Sequence, residues 1–162
     1  LHLERVLLPR LLRTVVAAHA NSGLDELHPM ELDIAEDAVD TVVLGDERLL
    51  TRAVENAIAN ARLHNEQGCT IRVTLRAEQR PEGRYGTVCV SDDEGISPVD
   101  LAALEARLAR ARTAKSAAGS FDKEHGLGLV LIDRIARAHG GSTSLYGSPS
   151  SGFAVEIALP LA

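Results

Sequence analysis

Asn56, Asn60 and His64 stand four residues apart in the run LLTRAVENAIANARLHN, Leu49 to Asn65. On a helix they stack along one face. Asn is a poor helix former that prefers caps and turns, so two of them beside an apolar stripe need a partner. A cation or a phosphate would serve; so would backbone or solvent. An amide oxygen is a hard, neutral ligand suited to Mg²⁺, an ion that keeps several waters and is usually shared with phosphates. A second group, Thr87 to Ile96, reads as a strand ending in carboxylates and then a glycine. A carboxylate there can accept a hydrogen bond from an exocyclic amine such as that of adenine, and Gly95 lets a base or ribose approach the backbone. The same residues also suit a plain acidic turn. The third group is His125-Gly-Leu-Gly-Leu129, running straight into a helix. Glycines at a helix start leave free N–H groups and the positive dipole end to meet phosphate, although Gly-x-Gly alone also fits a flexible turn.

These residues need elements to hold them. Leu50, Ala53, Val54, Ala57, Ile58 and Ala61 follow the i, i+3, i+4, i+7, i+8, i+11 spacing of a buried helical stripe, with Asp46 as N-cap and Gly68 just beyond the end. A short strand within Leu1 to Leu7 precedes a helix that Pro9 opens and that runs to about Ala20. Glu31 to Ile34 and Thr41 to Leu44 read as short strands around an acidic turn. Thr70 to Ala77 and Gly86 to Ser91 read as strands joined through the turn Arg80-Pro81-Glu82-Gly83. Pro98 to Lys115 is a helical Ala- and Arg-rich run, and Gly126 to His139 is a helix stopped by Gly140 and Gly141. Thr143 to Tyr146 and Gly152 to Leu159 close the chain as a hairpin-like pair. Helices and strands are mixed without a regular βαβ alternation. The expected fold is α+β: a two-layer sandwich with helices on one face of a mixed, mostly antiparallel sheet.

The 162 residues suffice for one domain with its own core, and 45% apolar content argues for a globular chain. Aromatics are only 2%, so Leu, Ile, Val and Ala must build that core. A formal net charge of −6 argues against nonspecific binding to nucleic acid or an acidic membrane. Cys69 and Cys89 suggest buried thiols in a reducing compartment, with a disulfide left open. No apolar run reaches the roughly 18 residues of a membrane span. The chain begins with Leu rather than Met, as a piece of a longer protein would, and membrane anchoring of the parent stays open.

In their order, the three groups resemble the GHKL ATP-binding fold, and the chain resembles the catalytic ATP-binding domain of bacterial sensor histidine kinases from about Leu3 to Pro160. Gly45-Asp46 with Glu55-Asn-Ala-Ile-Ala-Asn-Ala61 looks like the N box, and Val90-Ser-Asp-Asp-Glu-Gly-Ile96 like the G1 box. His125-Gly-Leu-Gly-Leu-Val-Leu-Ile132 looks like the G2 box, continuing to Ala138-His-Gly-Gly141.

The resemblance implies a single domain over 1–162, with an ATP lid at roughly 94–125, and the cofactors ATP and Mg²⁺. It implies that Asn60 ligands Mg²⁺ while Asn56 supports the phosphates or the metal, that His64 lies beside the nucleotide, and that Asp92 receives the adenine amine. Asp92 is preferred to Asp93 because Val88 and Val90 then keep the strand alternation. Gly95 and Ile96 would line the base; Gly126, Leu127 and Gly128 would wrap the phosphates, with Leu129 anchoring the helix. The chain departs from the pattern in several places. The G1 box is one residue short, with one glycine and with Glu94 near the nucleotide. Leu63 stands where a basic residue is usual, Glu124 replaces the first G2 glycine, and Phe121 is the one aromatic left of the F box.

Hydrolysing members of the superfamily carry a general-base Glu four residues before the metal-binding Asn. Here that position is Asn56, which cannot take a proton, and Glu55 is turned by about 100° on the helix. The implied function is therefore donation of the γ-phosphoryl group to a histidine on a separate helical hairpin of a two-component kinase, with a response regulator downstream. The expected setting is cytoplasmic, free or as part of a membrane-bound sensor, and the chain alone is expected to be a monomer. A degenerate pseudokinase or an anti-sigma-type regulatory module is the alternative within the fold. An α/β interaction domain without nucleotide is the alternative outside it.

Overall fold

In the computed structural model, which describes residues 1–21, 26–113 and 127–162, sheet pairing organises the chain. The elements run β1 (Glu4–Leu7), α1 (Leu8–Asn21), β2 (Met30–Ile34), a 3₁₀ turn (Glu36–Ala38), β3 (Val42–Gly45) and α2 (Glu47–His64). Then follow β4 (Ile71–Arg80), β5 (Gly83–Ser91), α3 (Pro98–Thr113), α4 (Leu127–Ala138), β6 (Ser142–Tyr146) and β7 (Ala154–Pro160). Five strands form a sheet in the order β2-β4-β5-β7-β6; β2 and β4 are parallel and the other pairs antiparallel. β1 and β3 pair separately. This is the mixed, mostly antiparallel sheet expected.

Strand alternation makes the layers. Ile71, Val73 and Leu75 on β4, Val88 and Val90 on β5, and Val155, Ile157 and Leu159 on β7 join one buried cluster. Leu11, Leu12 and Val15 of α1, the α2 stripe, and Leu129, Ile132 and Ile135 of α4 complete it. The stripe is buried as expected, with Ala61 partly covered. The intervening strand residues carry the pairs Arg72–Glu31 and Arg76–Glu156. That charged face is the solvated side of a two-layer fold.

Several boundaries move. The β4–β5 hairpin is longer than its hydrophobic alternation indicates: Arg80 pairs with Gly83, and only Pro81 and Glu82 turn the chain. Charged side chains sustain the last pairs, because Arg80 bonds Glu78 and stacks over Tyr85 at 4.8 Å. The acidic turn after β2 is a 3₁₀ turn. Phe153 precedes β7 rather than opening it, yet still packs on the core. Cys69 is buried and Cys89 half-buried, both thiols and not a disulfide. Among the described residues no helix is long and apolar enough to cross a membrane.

Candidate functional site

The site is organised around α2. Asp46 caps its start, accepting from the N–H groups of Arg48 and Leu49 at 3.1 and 3.3 Å. The Asp46 N–H donates to His139 Nε2 at 3.0 Å, so the other ring nitrogen, Nδ1, carries the proton and donates to the Ile135 carbonyl at 2.7 Å. The end of α4 is thereby tied to the start of α2, and the two helices pack side by side.

That packing sets Asn60 against the first turn of α4. A Cβ on Gly128 would lie 2.9 Å from both Asn60 Nδ2 and Oδ1, so only glycine lets the helix approach the carboxamide this closely. Among the described residues Asn60 Nδ2 is buried without a hydrogen-bond partner. An orphaned buried amide is costly and marks a place where a ligand group fits. Asn56 is half-buried one turn earlier, and His64 is exposed at the last residue of the helix. Among the described residues no group of three or more His, Cys, Asp or Glu gathers around a metal.

Asp92 follows the last residue of β5. Its N–H donates to the Phe153 carbonyl at 3.0 Å, which continues the β5–β7 ladder by one step. Its Oδ1 accepts three backbone N–H groups: Glu94 at 3.0 Å, Gly95 at 3.1 Å and Phe153 at 3.1 Å. The Asp93-Glu94-Gly95 segment thus closes on the carboxylate itself, and the Glu94 side chain is left exposed. Asp93 turns elsewhere, accepting the Thr70 N–H at 2.9 Å. Gly95 has φ +94, and a Cβ there would lie 2.6 Å from the Ser148 carbonyl oxygen. Ile96 is half-buried, its N–H on that same carbonyl at 3.1 Å.

The structure thus brings Asn60 to Gly128, and Asp92, Gly95 and Ile96 to the β6–β7 connection. Leu129 is a core residue of α4. Leu127 is the first residue of that helix. Gly126, Glu124 and Phe121 lie outside the described residues, as do Lys115 and Ser116 to Ser120.

Three participants escaped the sequence reasoning. Asn65 Nδ2 donates to Asp92 Oδ2 at 3.1 Å and to the Ala61 carbonyl at 2.8 Å. Its place after the last helical residue signals a C-cap and nothing more. Asp133, 3% exposed, accepts a two-nitrogen contact from Arg112, both distances 3.0 Å, and a third from Arg137 at 3.1 Å. Arg112 also donates to the Thr143 carbonyl at 3.1 Å, joining α3, α4 and β6. The Asp133 contact raises the Arg112 guanidinium above its ordinary range. His139, the third, fixes the start of α2.

A sequence model of the family described as "Histidine kinase-, DNA gyrase B-, and HSP90-like ATPase" matches residues 45–162. The sensor-like histidine kinase SenX3 of Mycobacterium tuberculosis is 29% identical over 132 residues, covering 80% of this chain and 30% of that protein. The chain therefore spans less than a third of that curated relative. Among solved structures, the ATP binding domain of PrrB from Mycobacterium tuberculosis matches with a TM-score of 0.67 at 22% identity, over 99% of this chain and 98% of that one. The nucleotide-free catalytic domain of histidine kinase ThkA matches with a TM-score of 0.72 at 18% identity, over 99% and 96%. At these identities the structural matches speak to fold.

Proposed function

The chain belongs to the histidine kinase-, DNA gyrase B-, and HSP90-like ATPase family, and from that premise we propose that it binds Mg-ATP and donates the γ-phosphoryl group to a histidine on a separate helical hairpin of its parent sensor kinase. Residues 1–162 act in this reading as one ATP-binding unit with its lid over 94–125. The observation that carries the proposal is Asn60 Nδ2, buried and without a hydrogen-bond partner among the described residues, on a carboxamide pressed on Gly128. Asn60 Oδ1 is suited to ligand Mg²⁺ and Nδ2 to donate to a phosphate oxygen. Asn56 stands one turn away on the same face to support either. Bound Mg²⁺ would neutralise charge on the transferring phosphoryl oxygens.

At the other end of the site, Asp92 is an acceptor-only group and so selects a donor, such as the adenine amine. Among the described residues beside Asn60, α2 offers no base for water: Asn56 cannot take a proton and Glu55 is exposed. Holding ATP dry and oriented for another nucleophile is what remains, and the domain contributes positioning rather than covalent chemistry. The relatives' printed activity, histidine kinase, agrees with this.

Calorimetric titration tests it. ATP with Mg²⁺ should bind, and Asn60→Ala should remove most of the Mg²⁺-dependent part of the affinity. Absence of heat and of any thermal shift at millimolar ATP would defeat the proposal. Supplying the parent's helical hairpin and assaying phosphohistidine separates a kinase from a pseudokinase or regulatory module.

A further inference from the structure

We propose that Asn65 is the positioning residue of the base-recognition end of this site, holding the Asp92 carboxylate so that a single oxygen lone pair faces the ligand and discriminates for a purine that carries a 6-amino group. The inference rests on the reading that Asp92 receives that amine.

Each carboxylate oxygen offers about two acceptor sites. Asp92 Oδ1 already takes the N–H groups of Glu94, Gly95 and Phe153, so it has nothing left for a ligand. Oδ2 takes one bond, from Asn65 Nδ2 at 3.1 Å. One acceptor site on Oδ2 remains, and its direction depends on where Asn65 stands.

Asn65 is itself held on several sides. The second hydrogen of Nδ2 goes to the Ala61 carbonyl at 2.8 Å. Its own carbonyl accepts the Gly68 N–H at 2.9 Å and His28 Nε2 at 2.6 Å. Its φ of −132 and ψ of 57 take it out of the helix, which turns the side chain back toward β5. With both N–H bonds used, the amide fills one of the two Oδ2 acceptor sites and sets the direction of the one left to the ligand. A ligand acceptor, such as the 6-oxo group of a hypoxanthine or guanine base, then meets a carboxylate oxygen with no donor available. A 6-amino group completes the shell.

The test compares ATP with purine riboside 5′-triphosphate, which lacks only the amine, in the wild-type chain and in Asn65→Ala and Asn65→Asp. The second variant keeps size and shape while replacing the donor by an acceptor beside Asp92. Wild type is expected to prefer ATP by about tenfold or more, the worth of one hydrogen bond to a charged group. Both variants should bring that ratio to within about twofold of unity, while affinity for the amine-free analogue changes by less than about threefold. A purely structural Asn65 would weaken both ligands in step; an unchanged ratio, or equal loss of both ligands by variants that still melt cooperatively, overturns the inference. A wild-type chain that binds ATP without preference overturns it too. A wild-type chain that binds neither nucleotide overturns the Mg-ATP reading, and this one with it.

Discussion

The α carbon of Gly128 rests against the carboxamide of Asn60, with room for a methyl group only at 2.9 Å from both amide atoms. The contact joins the helix that carries the candidate metal ligand to the helix whose start would face the phosphates. It is tight because the core side chains of α2 and α4 draw the two helices together, and it is polar because Asn60 lies just off the buried stripe.

Gly128→Ala should therefore separate binding from stability. The obstructing group is the end of a rotatable side chain, so Asn60 swings aside at little cost, and Ala is the better helix former by about 0.5–1 kcal/mol. We expect unchanged or slightly raised thermal stability, with Mg-ATP affinity down by about tenfold or more, the scale of one lost charge-assisted contact. Calorimetry beside a melting curve reads both; full affinity would show that Asn60 need not hold its present place.

Asp92→Asn should weaken ATP by about 1–3 kcal/mol. The three N–H groups at Oδ1 force the amide oxygen to remain there, which puts an NH₂ group where Oδ2 was, facing Asn65 Nδ2. Donor then meets donor, and the ligand amine finds no acceptor. Titration with ATP checks the loss, and a cooperative melt establishes that the variant folds.

Gly95→Ala should lower stability by about 1–3 kcal/mol. The residue holds φ +94, and the atoms a Cβ would meet are the carbonyl oxygens of Ser148, Pro149 and Ser151, which are backbone and cannot step aside. Urea unfolding measures the change.

Arg112→Ala should destabilise the chain by about 1–3 kcal/mol. It leaves the buried Asp133 with Arg137 as its one ion-pair partner among the described residues, and the Thr143 carbonyl without this donor. Arg112 is partly exposed, which keeps the figure below that of a fully buried pair. Denaturant midpoints at low and moderate salt should differ little, because Asp133 is shielded from the solvent ions.

The Asp46 carboxyl lies below its ordinary value of 3.8, chiefly because the His2 N–H donates to it; desolvation opposes the shift, and the Leu49 and Arg48 N–H groups add to it. The unfolded chain takes up this proton first as pH falls. The stabilisation is thus complete above 3.8 and disappears as pH drops through the lower, folded value. Asp46→Asn, which caps a helix comparably but does not titrate, should flatten that part of the stability curve below about pH 5. Unfolding curves across this window give the comparison.

Much of this arrangement is legible along the chain. The stripe from Leu50 to Ala61, the cap at Asp46 and the strand alternations around Val73, Val88 and Ile157 are local periodicities, and local periodicity needs only the geometry of one element. The four-residue spacing of Asn56 and Asn60 is of the same kind. The length of the β4–β5 hairpin was not legible, because charged cross-strand contacts extend it beyond the apolar pattern.

What residue order alone determined is which side chains share a face: the apolar stripe, the amide row beside it, and the carboxylate at the end of β5. Only the tertiary structure decided which of those faces meet. Asn65 reaches Asp92 across 27 residues, His139 reaches Asp46 across 93, and Arg112 finds Asp133 across a gap of 21. Such contacts carry no period, because each depends on how whole elements pack. The physical reason is that hydrophobic burial, which is non-directional, brings the elements together, while the hydrogen bonds that give a site its chemistry are directional and form only once packing has set the distances.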